Sequence, residues 1–212
     1  MGTKQAKKYE DGSRALAVAS GIVTADAADA FAREALVERM ACAHIYRIDE
    51  LPRIELYLDQ VLTLVSDELV FMCLPGEQIL TGPMVNNYVK QKLLPAPLRK
   101  RYTAGHVATL LFICAFKRVY SIAQLSKIMG MIDEAHVDAG ALYDEVVSAL
   151  ERAIAEQFVV GADFVAPVME PHIRPVDKDG NEVAPGLARV LEAAVTSLAA
   201  KVYVEQTLAL AD

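Results

Sequence analysis

Residues Thr103 to Arg118, TAGHVATLLFICAFKR, place apolar side chains at Val107, Leu110, Leu111, Phe112, Ile113, Cys114 and Phe116. On a helix these positions cover nearly every side, which leaves no face to offer to water. Such a helix belongs at the centre of a core, and the rest of the chain must supply the elements that surround it. Its apolar run, Val107 to Phe116 with Thr109 inside it, falls well short of the roughly 20 residues that a membrane span requires. The 212 residues are 54% apolar and 23% charged, enough to bury a core in one large or two small domains. Ala, Leu and Val dominate and Trp is absent, so helix is the expected secondary structure.

The same region carries a local reversal of charge. From Thr81 to Gly130 there are eight basic residues (Lys90, Lys92, Arg99, Lys100, Arg101, Lys117, Arg118 and Lys127) and no Asp or Glu. The whole chain has 21 Lys and Arg against 28 Asp and Glu, so the remaining residues hold 13 and 28. That sets +8 in fifty residues against −15 elsewhere. A concentrated positive field in an acidic chain points to an anionic partner, because phosphate contacts respond to local charge and not to the net value.

The cysteines (Cys42, Cys73, Cys114) sit far apart in apolar sequence and form no CxxC or Cys/His spacing. They read as small buried hydrophobes in a reducing compartment. The four histidines show no ligand spacing, and no phosphate-binding glycine loop, GxSxG or HExxH occurs. No residue asks for a catalytic role, and no cofactor or metal is implied. The polar N-terminus, MGTKQAKKYEDGSR, lacks the apolar centre of a signal peptide. The expected location is the cytoplasm.

Taken in order, residues 1 to about 14 read as a charged tail. A helix is expected from Thr24 to Ala43, capped by Thr24 or Asp26, with Phe31, Leu36, Val37 and Met40 on one side. Another is expected from Leu51 to about Met72, with Pro52 in its first turn, where a missing amide costs nothing, and Ile54, Tyr57, Leu58, Val61, Leu62 and Val65 at helical spacing. Thr81 caps a short helix to about Lys90, with Pro83 in its first turn and Met84, Val85, Tyr88 and Val89 inward. Two prolines in Leu93-Leu94-Pro95-Ala96-Pro97-Leu98 forbid helix, so Arg99-Lys100-Arg101 falls on a loop or hairpin. Ser121-Ile122-Ala123-Gln124 is a capping-box pattern opening a helix that Gly130 closes. Two long helices follow, about Leu142 to Phe158 and Leu187 to Val202, suited to a helical hairpin or a dimer interface. Between them, residues 161–185 hold four of the nine prolines and a Lys-Asp-Gly-Asn turn, an irregular connection with a small hairpin.

This order and charge fit a helix-turn-helix reader of duplex DNA. Asn86 and Asn87 carry amides able to pair with adenine in the major groove. Thr81, at the helix start, can meet a phosphate with its hydroxyl and the free amides beside it. Lys90 and Lys92 suit the backbone, Arg99, Lys100 and Arg101 form a basic wing, and Tyr102 adds a phosphate hydrogen bond or packs.

The pattern MVNNYVKQKLLPAP, then RYT, an apolar helix and SIAQLSKI resembles the MerR-type winged helix, which implies a recognition helix, a Leu-Leu-x-Pro exit and a wing closed by Tyr. More closely, Leu51 to Gly130 resembles a bacterial family, domain of unknown function 1836. The residues concerned are Ile54-Glu55-Leu56-Tyr57-Leu58-Asp59-Gln60-Val61, Thr81 through Pro97, Arg101-Tyr102-Thr103 and Ser121 through Leu125. Relative to the wider MerR-type pattern, Asn86 stands where an Arg is common, Asn87 replaces an aromatic, Lys92 replaces a Gly, and the wing is short.

The fold expected is mainly α, a MerR-like winged helix-turn-helix at 51–130 with additional helices at 1–50 and 131–212. The expected function is a sequence-specific, double-stranded DNA-binding transcriptional regulator, not an enzyme and not membrane-bound. A homodimer is the geometric expectation, with the C-terminal helices serving dimerisation, sensing of a small-molecule effector, or both. Two alternatives use the same parts. In one, the basic winged-helix face binds a protein. In the other, the C-terminal helices form a small-molecule sensor.

Overall fold

The computed structural model describes residues 25–159 and 170–211. The tail at 1–14, the Thr24 cap and the first part of the 161–185 connection lie outside the described residues. The described chain is mainly helical, with α1 (Ala25–Ala41), α2 (Leu58–Leu69), a 3-10 turn (Val70–Met72), α3 (Gly82–Lys90), α4 (Ala104–Phe116), α5 (Ile122–Glu134), α6 (Ala139–Val159) and α7 (Pro185–Ala211).

As its apolar surround demands, α4 lies at the centre. Val107, Leu110, Leu111, Ile113, Cys114, Ala115 and Phe116 are all buried. At about 1.5–3 kcal/mol for each large side chain removed from water, this one helix supplies a major share of the folding free energy. Around it, α2 packs on one side and α6 and α7 on others, while α1 lies along α6. A continuous buried cluster runs from Leu36 to Val202.

Several expectations are corrected. The second helix starts at Leu58, not near Leu51. Leu56 instead exchanges N–H···O=C bonds of 2.8 and 2.9 Å with Tyr102, which holds the chain extended there and exposes Ile54 and Tyr57. The capping box at Ser121 forms, but α5 continues through Gly130 to Glu134. On α1, Leu36 and Met40 are buried as expected and Phe31 is 73% exposed. Cys42 is likewise exposed, whereas Cys114 is buried with its thiol pushed up to about 12 by desolvation.

The two long helices do not form a hairpin. Asp138, at the start of α6, donates to the Val176 carbonyl, and Val183 donates to that of Pro175, so α7 begins where α6 begins. At the far end the rings of Phe158 and Tyr203 meet with centroids 5.2 Å apart. The helices are therefore parallel, and the described part of the connection, from residue 170, lies beside the start of α6. Its expected turn is present: the Asp177 carboxylate accepts from the Asp179 and Asn181 N–H groups, and Val176 bridges Glu182.

The wing also differs from expectation. A wing needs strands, and among the described residues there is no strand, only isolated antiparallel bridges at Leu56–Tyr102, Leu98–Arg101 and Val176–Glu182.

Candidate nucleic-acid interface

The short helix α3 is built by local chemistry. Thr81 is extended (φ −135°, ψ 159°), and its Oγ accepts from the Met84 N–H at 3.3 Å. Pro83 sits in the first turn, where no amide is needed. Val85 and Tyr88 bury one face, and desolvation pushes the Tyr88 phenol up to about 12. Asn86, Asn87, Lys90 and Gln91 are exposed on the other. Gln91 donates its amide to the Asn87 oxygen at 3.2 Å, while the Asn86 side chain makes no hydrogen bond among the described residues.

The helix ends in a Schellman motif. Leu93 N–H donates to the Tyr88 carbonyl at 2.9 Å and Lys92 N–H to that of Val89 at 3.1 Å. The motif needs a left-handed residue, and Lys92 fills that position at φ 59° where glycine would fit without strain. Leu93 and Leu94 are then buried, which anchors the proline-braced exit.

Next comes the basic turn. Arg101 N–H donates to the Leu98 carbonyl at 2.9 Å, and the two residues between, Arg99 and Lys100, have φ of 49° and 59°. Two left-handed central residues are the pattern of a type I′ turn, which ordinarily takes Asn-Gly. Among the described residues, three of the five non-glycine positions with positive φ are cations of this region, Lys92, Arg99 and Lys100. The guanidinium carbon of Arg101 lies over the Tyr57 ring, 3.5 Å from its centroid, and the group donates to the Tyr57 hydroxyl. Leu98 beside it is 73% exposed.

Tyr102 is only 4% exposed and stacks edge-on against His106, with centroids 5.7 Å apart. It packs under the turn, one of the two roles that the sequence allowed it. His106 Nδ1 accepts from the Thr103 N–H at 3.1 Å, capping α4.

The eight cations separate by role. Lys117 donates to the Ile79 carbonyl at 2.8 Å. Arg118, 6% exposed, binds Glu77, Glu205 and the Cys73 sulfur. These two hold the fold together. Lys90, Lys92, Arg99, Lys100 and Lys127 are exposed, and no hydrogen bond or ion pair engages their side chains among the described residues. Thr81, Asn86, Asn87, Lys90 and Lys92 thus lie on one short helix and its cap, and Arg99 to Arg101 on the turn that follows it. Tyr57, the platform under Arg101, escapes a reading of the sequence because it looks like one more apolar residue of a helix. Its only signal there is the Leu56-Tyr57 pair in the family pattern.

A separate open cleft of about 780 Å³ lies beside α6, lined by Arg47, Asp144, Glu151, Arg174 and Glu182 among others. It occupies the region expected of a small-molecule sensor. Its least exposed cation, Arg47, is neutralised by a two-pronged bond to Glu151.

Residues 46–147, which are 102 of the 212, match the model of the family described as Domain of unknown function (DUF1836). Comparison with curated proteins and with solved structures found no match. No helix among the described residues is long and apolar enough to cross a membrane.

Proposed function

We propose that this protein is a sequence-specific regulator of transcription that binds double-stranded DNA as a dimer. In this reading α3 is the reader helix, and the Leu98–Arg101 turn stands in place of a MerR-like wing. The observation that carries the proposal is the strained backbone under the cations. Lys92, Arg99 and Lys100 occupy left-handed positions that glycine or asparagine would fill at less cost. Strain of this kind, of order 1 kcal/mol or more for each residue, is retained where a side chain is needed for binding.

The roles follow from position. Asn86 offers its free amide to a base edge, and Asn87 joins it by exchanging the Gln91 bond. The Thr81 hydroxyl hydrogen and the Gly82 N–H, at the first position of α3, meet a phosphate. Lys90, Lys92, Arg99 and Lys100 neutralise the backbone, and Arg101, held over Tyr57, fixes the orientation of the turn.

Replacing Arg99, Lys100 and Arg101 by Ala is expected to weaken binding to every duplex. The slope of log K against log salt should flatten by up to about 0.9 for each phosphate that is no longer neutralised. Asn86→Ala is instead expected to relax sequence preference by about 1–3 kcal/mol at one base pair. A full-length protein that shifts no fragment of its own upstream DNA at low salt overturns the proposal.

One observation favours a second reading, a protein-binding module. Exposed Leu98 and Ile54, with Tyr57, lie around the cations and would suit an acidic amphipathic segment. Capture of a protein that survives nuclease treatment, with no retention of DNA, would select it.

A further inference from the structure

Tyr57 is the last residue before α2, and its ring is 51% exposed. Its position follows from the backbone. Leu56 and Tyr102 pair in antiparallel sense, which sets Tyr57 directly opposite Arg101 as the next cross-strand pair. On its other side the chain meets α3: Leu58 Cδ2 lies 3.6 Å from where a Cβ on Gly82 would stand. Tyr57 therefore stands one residue from the start of α3 and directly against the basic turn.

The hydrogen bonding of the Tyr57–Arg101 pair is one-sided. A guanidinium has five N–H donors and no acceptor, and the one bond Arg101 makes from them among the described residues goes to the Tyr57 hydroxyl. Having accepted that bond, the hydroxyl keeps its own hydrogen, and no group among the described residues accepts it. Arg101 approaches from the face of the ring, whereas a phenol hydrogen lies in the ring plane, so this hydrogen points away from Arg101. Accepting a bond from a cation also strengthens the hydroxyl as a donor. The pair thus presents only donors and one positive charge, and no carboxylate binds either side chain among the described residues. A backbone phosphate, with a negative charge and two free acceptor oxygens, is the group that completes it.

We infer that the Tyr57 hydroxyl is itself a DNA contact, holding one backbone phosphate jointly with Arg101 between the contacts of α3 and those of the turn. Tyr57 donates the bond that fixes where the phosphate sits, and Arg101 neutralises its charge. The contact carries no sequence information and sets how the reader helix is placed on the duplex.

This contact rests on the proposed binding of duplex DNA, so the test starts from a fragment of upstream DNA that the full-length wild-type protein shifts. Tyr57→Phe keeps the ring under Arg101 and removes only the hydroxyl, and at this exposed position it should leave the thermal transition in place. Affinity should fall about tenfold on every duplex, the scale of a hydrogen bond to a charged group. The slope of log K against log salt should not change, because no cation is lost. Duplexes carrying one neutral methylphosphonate at a time then locate the contact: at one position the substitution should cost Tyr57→Phe less than it costs the wild-type protein. Equal affinity of the two proteins overturns the inference and leaves the DNA-binding reading standing. A weaker Tyr57→Phe with a flattened salt slope, or with the same cost as wild type at every methylphosphonate, also overturns it, since the hydroxyl would then only place Arg101. A wild-type protein that shifts no duplex overturns both.

Discussion

Arg99 and Lys100 set stability and binding against each other within two residues. Changing the pair to Asn-Gly matches the side chains to the left-handed backbone that the turn already has. The double variant is expected to unfold about 1–2 kcal/mol harder in urea, and to lose duplex affinity along with two cations. Lys92→Gly should do the same on a smaller scale at the Schellman cap. Urea midpoints and salt-dependent binding, measured on the same samples, check both halves. A variant that gains no stability would show that the turn is not strained.

His106 adds a dependence on pH. Desolvation lowers its pKa below 6.5, against smaller upward pulls from the nearby Pro95 carbonyl and the Glu55 carboxylate, and among the described residues no group, that carbonyl included, is close enough to accept a hydrogen bond from the buried Nε2. The folded state therefore resists the proton that the unfolded chain accepts. Stability is fully present above pH 6.5 and is lost as pH falls from there toward the lower folded value. Protonation would also set an N–H at Nδ1 against the Thr103 N–H that it now accepts. His106→Gln, which completes a Thr-x-x-Gln capping box, should flatten this part of the curve of melting temperature against pH. Identical curves for the two proteins would refute the assignment.

At the scale of elements, the most consequential contact is the junction at the end of α4. Arg118 joins Glu77, in the loop before α3, to Glu205 on α7, and Gln206 beside it donates to the Cys73 carbonyl at 3.1 Å and accepts from Arg39 of α1 at 3.0 Å. Desolvation of Glu205 is outweighed by its bonds from Lys201 and Arg118, so its carboxyl titrates below the usual range. Arg118→Ala leaves acceptors without their donor and should cost roughly 3 kcal/mol, the low end for a broken buried pair because Glu77 is largely solvated. Chemical denaturation measures it, and a loss under about 1 kcal/mol would mean that the pair is screened.

The same junction shows where sequence reading stops. The cap at Thr81, the inward pair Val85 and Tyr88, the capping box at Ser121 and the all-apolar α4 are legible, because each is set by neighbours within one or two turns. Lys117 and Arg118 cannot be separated in sequence from the five cations whose side chains have no partner among the described residues, since their own partners lie 38 and 87 residues away. The start of α2 is hidden for the same reason: Tyr102, far along the chain, pairs with Leu56 and holds it extended. The parallel course of α6 and α7 is not legible because apolar periodicity fixes a face and not a direction. For the candidate site, residue identities are readable, but the left-handed backbone beneath Lys92, Arg99 and Lys100 is not, because nothing in Gln-Lys-Leu or Leu-Arg-Lys-Arg signals it.

For the whole molecule, the segment that matches the family model is not a self-sufficient piece of core. Residue 147 falls inside α6, and Leu150, Ala153 and Ile154, in the part beyond it, are buried. Glu151, also beyond it, accepts from Arg47 and from the Ile45 N–H. Most sides of α4 stay covered, but its packing against α7 and the Glu205 partner of Arg118 go when the chain stops at 147. A 102-residue piece that leaves such surface bare should stay collapsed and helical without cooperative packing. Residues 46–147 expressed alone are therefore expected to bind a hydrophobic dye and to melt without a sharp transition, whereas residues 25–211 should melt as one unit. If the short piece instead unfolds cooperatively near the temperature of the full chain, the outer helices are additions to an independent module. The Arg118 junction would then be a docking contact, not part of the core.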